Sequence, residues 1–578
     1  MTVVDTFESL RRRTIEDFDD IGLALDELER RPLAPAPGDV PFLARVARGV
    51  AFVTFAYDID GVSMEIAKYG TALTALLRDE GYEPRVHCVG GNFNEKVDVV
   101  LPSEWSRTLL HNADGWDKWD GGKWFAQLFF EPMPEGSAAS REMATVIWSE
   151  AVRMAEELAT FMAREDIGLL IPVNVNSNPG NFALALALVL VSEVTGCPVL
   201  NNNHDFYWEG GSPAEERLPD DTPGPRDHFF SNHENRAFFD VFLRILPWNG
   251  RRWIQVNINP LQSARLVEHD GFGADRVFLV GTSIDEGFFS SCSAGQKSEY
   301  RRRMAHILSD GSPTIAATPV ADFLERMPAW MGNQHPAVVG QRDGTELDLA
   351  STKTIVLLQP TRVVGRKRIS RDWELIGALL RHPSFRDEFE RRTDMALVLL
   401  VTGPVPIEHQ SDAEDVLSTF VDVLESVPES IGDRLFHAFS VGNQHHRSLS
   451  SGLEVFDIYH STDMVLFPSE TEGRGLPIPE SAAAGVPIVC SRYDPVAVFD
   501  EVVGADRPED ERLQYIEFPD AEFDDELLDE IAAMLLNPAS FGERTRHNRD
   551  VVQARFSVSD MHRSFTEYLL RLESIHDR

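Results

Sequence analysis

The sequence predicts an α/β protein built on parallel sheets and divided into two domains or more. Three observations carry this. From Asp463 to Pro495, an apolar run (Met464 to Phe467) ends at Pro468 and a polar loop with two glycines follows. An Ala-rich segment then stops at Gly485, and a second apolar run starts at Val486. That is strand, loop, helix, strand, the unit of a parallel sheet. Near the other end, Val50 to Tyr57 reads as a core strand that turns sharply at Gly61 into a helix running to about Arg78, the opening of a doubly wound domain. The length, 578 residues, is ample for two cores.

Composition narrows the class. Hydrophobic content of 43% and charged content of 25% describe a globular chain, but the formal net charge is -39. Nucleic acid and anionic membrane surfaces are therefore disfavoured as general partners. Basic charge is nearly all arginine, which fits either adaptation to high salt or an acidic proteome from a GC-rich genome. Cys88, Cys197, Cys292 and Cys490 are isolated in sequence, so a reducing cytoplasm is expected and structural zinc is not. The first residues lack the apolar core of a signal peptide, and the longest apolar stretch, Phe182 to Val191, is half of a membrane span.

In chain order, residues 5–31 carry the spacing of one helix packed on the domain surface, and a Pro-rich linker follows to about residue 40. After the first strand and helix, residues 100–140 are Trp-rich and irregular, more the pattern of a packed insertion than of a sugar platform. Residues 142–164 form a helix, IGLLIPV a buried strand, NPGNFALALALVLVSEVTG a core helix ending at Gly196, and CPVLNN a strand. That strand delivers NNNHDFYWEG to the sheet edge. Helix 235–246, strand WIQVNI, helix 261–269 and strand RVFLVG complete a first domain over 41–285, and residues 286–350 read as a linker or insertion. Strand TIVLLQP opens a domain over 351–556, continued by MALVLLVTG, helix 413–427, RLFHAFS and helix 453–460. A closing helix occupies 557–578.

The loop between Pro468 and Pro479 holds the candidate chemistry. Glu472 lies beside Gly473, and Glu480 falls at the start of the helix, eight positions on. One carboxylate can hang over the C-terminal edge of the sheet while the other sits deeper, where open α/β sheets bind ligands. Gly473 and Gly475 allow close backbone approach, and the helix N-terminus favours an anion. A carboxylate in a first helical turn is also an ordinary dipole complement, so Glu480 alone does not decide between the two readings. Arg362, Arg366, Lys367, Arg368 and Arg371 crowd five cations into ten residues of an acidic chain, either a solvated loop or a place for an anion.

The string EGRGLPIPES resembles the E-x7-E signature of retaining glycosyltransferases of the GT-B fold, glycosyltransferase family 4 in particular, with Arg474 where that family usually has an aromatic residue. QPTRVVGRK resembles its diphosphate-binding Arg and Lys, here Arg362 and Lys367. HDFYWE resembles its donor-sugar segment, so His204 would contact the donor sugar with Asp205 as support; Asn202 and Tyr207 are weaker candidates for the acceptor side. DGVSMEI resembles its glycine loop, placing Gly61, Val62 and Ser63 near the donor phosphates or the acceptor. The family's closing helices are echoed by HNRDVVQARFSVSDMHRSFTEYLL, the last of which usually crosses back to the first domain.

The resemblance implies two Rossmann-like domains facing across a cleft and transfer of a glycosyl group, with retention, from a nucleotide-sugar donor to a small-molecule or glycan acceptor. Catalysis would involve Arg362, Lys367, Glu472 and His204. The donor would be bound by Glu480 at the ribose, by Gly473, Arg474, Gly475 and Leu476, and by Gly61, Val62, Ser63 and Asp205. HDFYWE and QPTR are reminiscent of a branch that includes synthases of small soluble glycosides. The rivals are a glycoside phosphorylase on the same fold and an inactive sugar-nucleotide-binding protein. Asp58, Ile59 and Asp60 form a D-x-D, a metal-binding pattern of the other large glycosyltransferase fold. Fixed cations remove the electrostatic need for a metal, so Asp58 and Asp60 are expected to be turn residues and no metal or cofactor is expected.

Overall fold

The computed structural model describes the chain except residues 1–2, 33–39, 59, 96, 117, 130, 210–231, 233, 310–311, 334–336, 341–343, 404, 406–409, 440–452 and 577–578. Most of the expected Pro-rich linker lies outside the described residues, as does Ile59 of the D-x-D. The chain divides into two units, Met1–Ser283 with Val558–Arg578, and Ile284–Ser557. Each is Rossmann-like.

The first unit contains β1 (Val50–Tyr57), β2 (Val86–Phe93), β3 (Ser106–Leu109), β4 (Leu169–Pro172), β5 (Val199–Asn203), β6 (Trp253–Asn257) and β7 (Val277–Leu279). They form one sheet in the order β3-β2-β1-β4-β5-β6-β7, parallel throughout. Such a sheet needs both faces covered. Ala51 and Val53 pack into the core on one face, and Val50 and Phe52 into the core on the other. Helix Phe182–Thr195 starts where the Asn181 side chain accepts from Leu184 N–H and stops at Gly196, whose φ of 74° is open to glycine.

Residues 5–31, expected as one surface helix, are two helices, Val3–Arg12 and Phe18–Arg30. A capping box of Asp17 and Asp20 starts the second. Phe18, Ile21 and Leu25 are fully buried, so this segment belongs to the core. Arg11, Arg12 and Arg13 pair with Glu156, Glu8 and Glu27. In the Trp-rich stretch Trp105, Trp116 and Trp124 are buried, the packing of an insertion. The last helix, Val558–His576, returns to the first unit, buries Phe565 and Leu572, and Tyr568 Oη donates to the Leu279 carbonyl at 2.8 Å.

In the second unit β8 (Ile315–Ala316) pairs with β11 (Glu346–Leu347). The main sheet comprises β9 (Thr318–Pro319), β10 (Ala337–Gly340), β12 (Thr354–Gln359), β13 (Ala396–Val401), β14 (Leu435–Phe439), β15 (Met464–Phe467), β16 (Ile488–Cys490) and β17 (Ile516–Glu517). Its order is β17-β16-β15-β12-β13-β14-β10-β9, with β10 antiparallel to β14. Residues 286–350, read from the sequence as a linker or insertion, supply β9 and β10 to this sheet. They also supply helix Ala294–Leu308, from which Lys297 and Arg301 each reach Asp463 at 2.7 Å. Strands of two to four residues are too short to show a period.

Candidate functional site

In the second unit the strand order reverses between β12 and β15, and the loops that leave their C-terminal ends carry the candidate residues. Such a reversal is where open α/β sheets leave a crevice for ligands. After β12, Gln359 Oε1 accepts from Thr361 N–H (3.2 Å) and Thr361 Oγ1 (3.0 Å), while its Nε2 donates to the buried Asp372 at 3.0 Å. Burial pushes the Asp372 carboxyl well above its ordinary range. Gly403 presses on the same loop: a Cβ there would fall 2.0 Å from the Thr361 carbonyl oxygen. The chain turns through a short 3-10 segment, Gly365–Lys367, and leaves it through Arg368 at a left-handed φ of 51°.

Of the five clustered cations, two hold structure. Arg368 pairs with Asp520 at 2.8 Å, and Arg371 donates to the carbonyls of Pro519 (2.7 Å) and Ala521 (2.9 Å). Arg366 Nη1 reaches the Thr471 carbonyl at 3.5 Å. Arg362 is exposed. Lys367 is buried, and its Nζ donates to Glu472 Oε1, the side chains being 8% and 12% exposed. Burial pulls the Lys367 ammonium below its ordinary range, with the Glu472 carboxylate opposing that shift.

Glu472 is held by its backbone: its N–H donates to the Asp494 carbonyl (2.9 Å), Glu470 N–H to Arg366 O (2.8 Å) and Asp494 N–H to Glu470 O (2.7 Å). These bonds stitch the loops after β12, β15 and β16 together. Gly475 has a φ of 64°, and a Cβ there would sit 2.1 Å from the Tyr493 hydroxyl, so both conformation and space require glycine. Gly473 is exposed and outside the left-handed region; Arg474 and Leu476 are half-buried. Leu476 precedes helix Pro477–Ala484, whose first turn contains Glu480. Tyr459 Oη donates to Glu480 Oε2 at 2.6 Å. Burial, then the Glu480 charge, pushes the Tyr459 phenol well above its ordinary range, which keeps it a donor. Sequence reasoning passed over Tyr459 and Gln359, because aromatic and strand-end residues in apolar patterns look like core.

In the first unit His204 follows β5; its carbonyl accepts from Gln262 Nε2 (3.0 Å), and its ring meets Tyr69 edge-on at 6.4 Å. The Asp205 carboxylate accepts from Asn174 Nδ2 at 3.0 Å, and its N–H donates to Asn174 Oδ1 at 2.9 Å. That ties the segment after β5 to the one after β4. Tyr207, expected on the acceptor side, is buried against Phe242 (5.2 Å), and burial pushes its phenol up to about 12. Asn202 is likewise buried.

The turn after β1 is built by its polar residues. Asp60 caps helix Gly61–Asp79 through Ser63 N–H (2.8 Å), Ser63 Oγ accepts from Asp58 N–H (3.0 Å), and Asp58 Oδ1 accepts from Asn94 Nδ2 (2.7 Å). Ser63 is enclosed, Val62 half-buried and Gly61 exposed, with nothing within 4 Å of a Cβ on Gly61.

No family model matches the chain, and no curated protein matches it in sequence. Among solved structures it is similar to HepE of Anabaena in complex with UDP and glucose, at 11% identity over 90% of this chain and 99% of that one, with a TM-score of 0.49. It is also similar to an α,α-trehalose-phosphate synthase (UDP-forming) of Burkholderia vietnamiensis, at 10% identity, 91% and 99% coverage and a TM-score of 0.48. A third is sucrose-phosphate synthase of Thermosynechococcus elongatus, at 14%, 91% and 99%, and 0.45. Among the described residues no helix is long and apolar enough to cross a membrane.

Proposed function

We propose that the protein is a retaining glycosyltransferase of the GT-B type, transferring a sugar from a nucleotide-sugar donor whose nucleotide is held by the second unit. The observation that supports this best is the contact of Lys367 with Glu472 across the strand-order reversal, with Glu480 fixed eight residues on by Tyr459. In this reading the diphosphate takes Lys367 and Arg362, whose fixed charges stabilise the leaving group as the glycosyl bond breaks. Glu472, released from Lys367, binds sugar hydroxyls, and Glu480 binds the ribose diol. His204, Asp205 and the 61–63 turn are the candidates for sugar and acceptor contacts. In this reading the fixed charges of Lys367 and Arg362 take the place of a divalent metal, Asp58 and Asp60 serve the turn, and the protein works in the cytoplasm.

The test is a melting-shift screen of UDP-, GDP- and ADP-sugars, followed by assay of nucleoside diphosphate release with excess EDTA present. One donor should shift the transition and turn over. Phosphate-dependent cleavage of a glycoside without nucleotide-sugar turnover would identify a phosphorylase instead. A shift without diphosphate release would leave a binding protein, and loss of transfer in EDTA with rescue by Mg²⁺ would overturn the metal-free mechanism.

A further inference from the structure

The first unit contains a cavity of about 880 Å³, within the size range of small-molecule sites. Its place in the fold separates it from the candidate residues above. Arg48, Gly168, Pro198 and Arg252 line it, and they lie just ahead of β1, β4, β5 and β6. In a parallel sheet that is the N-terminal edge, whereas His204 and the 58–63 turn follow β5 and β1 at the other edge.

The lining has two chemistries. Val3 and Phe7 of helix Val3–Arg12 and Met162 and Ile167 at the end of helix Ala138–Glu165 give an apolar wall. Val4, also lining it, is 75% exposed, an apolar side chain left open beside the cavity. Guanidinium groups line it as well. Arg252 is 8% exposed and donates to the Gly196 carbonyl at 2.6 Å; Arg45 Nη1 sits 2.6 Å from His576 Nε2. The two arginines are close enough that the charge of Arg45 adds to burial in pulling Arg252 below its ordinary range. Glu8, Glu156 and Asp166 also line it, and they pair with Arg12, Arg11 and Arg48. A buried and a half-buried cation near each other, in a cavity that also has apolar lining, in a chain of net charge -39, make a local match for a ligand that is anionic at one end and apolar along the rest.

We propose that this cavity binds a single-chain amphiphilic anion, its phosphate or carboxylate head at Arg45 and Arg252 and its hydrocarbon chain along helices Val3–Arg12 and Ala138–Glu165. The test is titration calorimetry of the full chain with dodecyl phosphate and with dodecanoate, both below their micelle concentrations. Inorganic phosphate and dodecanol serve as controls. One or both anions should bind one to one, at least about tenfold more tightly than either control, and a preference between them names the head group. Ala163→Trp, at an exposed lining position, should weaken that binding at least about tenfold, as should Arg45→Gln. Neither should alter the melting shift given by a nucleotide sugar, which reads the second unit independently. Absence of binding, equal binding of dodecanol, many ligands per chain, or full affinity in Ala163→Trp would overturn the proposal.

Discussion

Lys367 and Glu472 meet in a nearly closed site, so each single substitution strands a charge. Lys367→Met leaves a carboxylate 12% exposed, and Glu472→Gln leaves an ammonium 8% exposed that burial already disfavours. Removing one partner of a buried pair costs about 3–5 kcal/mol, whereas removing both can be nearly neutral. The small residual exposure places each single variant at the lower end, about 3 kcal/mol. The double variant should lose less than the sum by about 2 kcal/mol or more. Calorimetry should show each single variant melting about 6–12 °C lower, at about 2–4 °C per kcal/mol for a domain of this class. Nucleotide binding adds a second readout. Glu472→Gln frees Lys367 for the diphosphate, so nucleoside diphosphate affinity should hold or rise while turnover collapses; Lys367→Met should lose both. Additive stability losses within about 0.5 kcal/mol, or equal loss of nucleotide affinity in both variants, would refute the reasoning.

Tyr459→Phe removes the donor that fixes Glu480 and should weaken nucleotide binding by about 0.5–1.5 kcal/mol, seen in titration as a several-fold rise in Kd. Gly475→Ala meets both a left-handed backbone and the Tyr493 hydroxyl, so the melting transition should fall by the equivalent of about 1–3 kcal/mol; an unchanged transition would contradict the described loop. His437, fully enclosed on β14, takes a hydrogen bond from Trp373 Nε1 at 3.0 Å, and burial lowers its pKa from 6.5 to about 3. Below pH 6.5 the unfolded chain takes up the proton and the folded one does not, so stability present above 6.5 is lost as pH falls toward 3, by up to about 5 kcal/mol. His437→Gln should flatten that acid limb in denaturant titrations, and an identical limb would exclude His437 as its source.

Elements were legible where punctuation and period agree. Met464–Phe467 could be bounded because Pro468 ends it, and the helix after it because Gly485 takes a φ of 71° that suits glycine. The first helix misled because its apolar spacing runs on across Asp17; only the capping side chain divides it. Residues 286–350 stayed opaque because β9, at the edge, and β10 beside it are short pieces whose pairing, not their composition, makes them strands.

The candidate site was legible as ingredients and not as contacts. Glu472 and Glu480 share one loop and helix, so spacing finds both, but Lys367 lies 105 positions from Glu472, and only the adjacency of β12 and β15 brings them together. Charge composition marked residues 362–371 as either a solvated loop or a place for an anion, and it could not separate their duties. Arg368 and Arg371 are committed to Asp520 and to the 519–521 carbonyls, while Lys367 faces the reversal of strand order. A cluster of like charges therefore marks a region, whereas the residue brought to the strand-order reversal is chosen by which backbone turn ends at the sheet edge. Here that turn is Gly365–Lys367, closed by the left-handed Arg368 and pinned from behind by the absence of a Cβ at Gly403. A side chain at Gly403 would displace the Thr361 carbonyl and the loop that aims Lys367, and would do so without touching any charged group of the site.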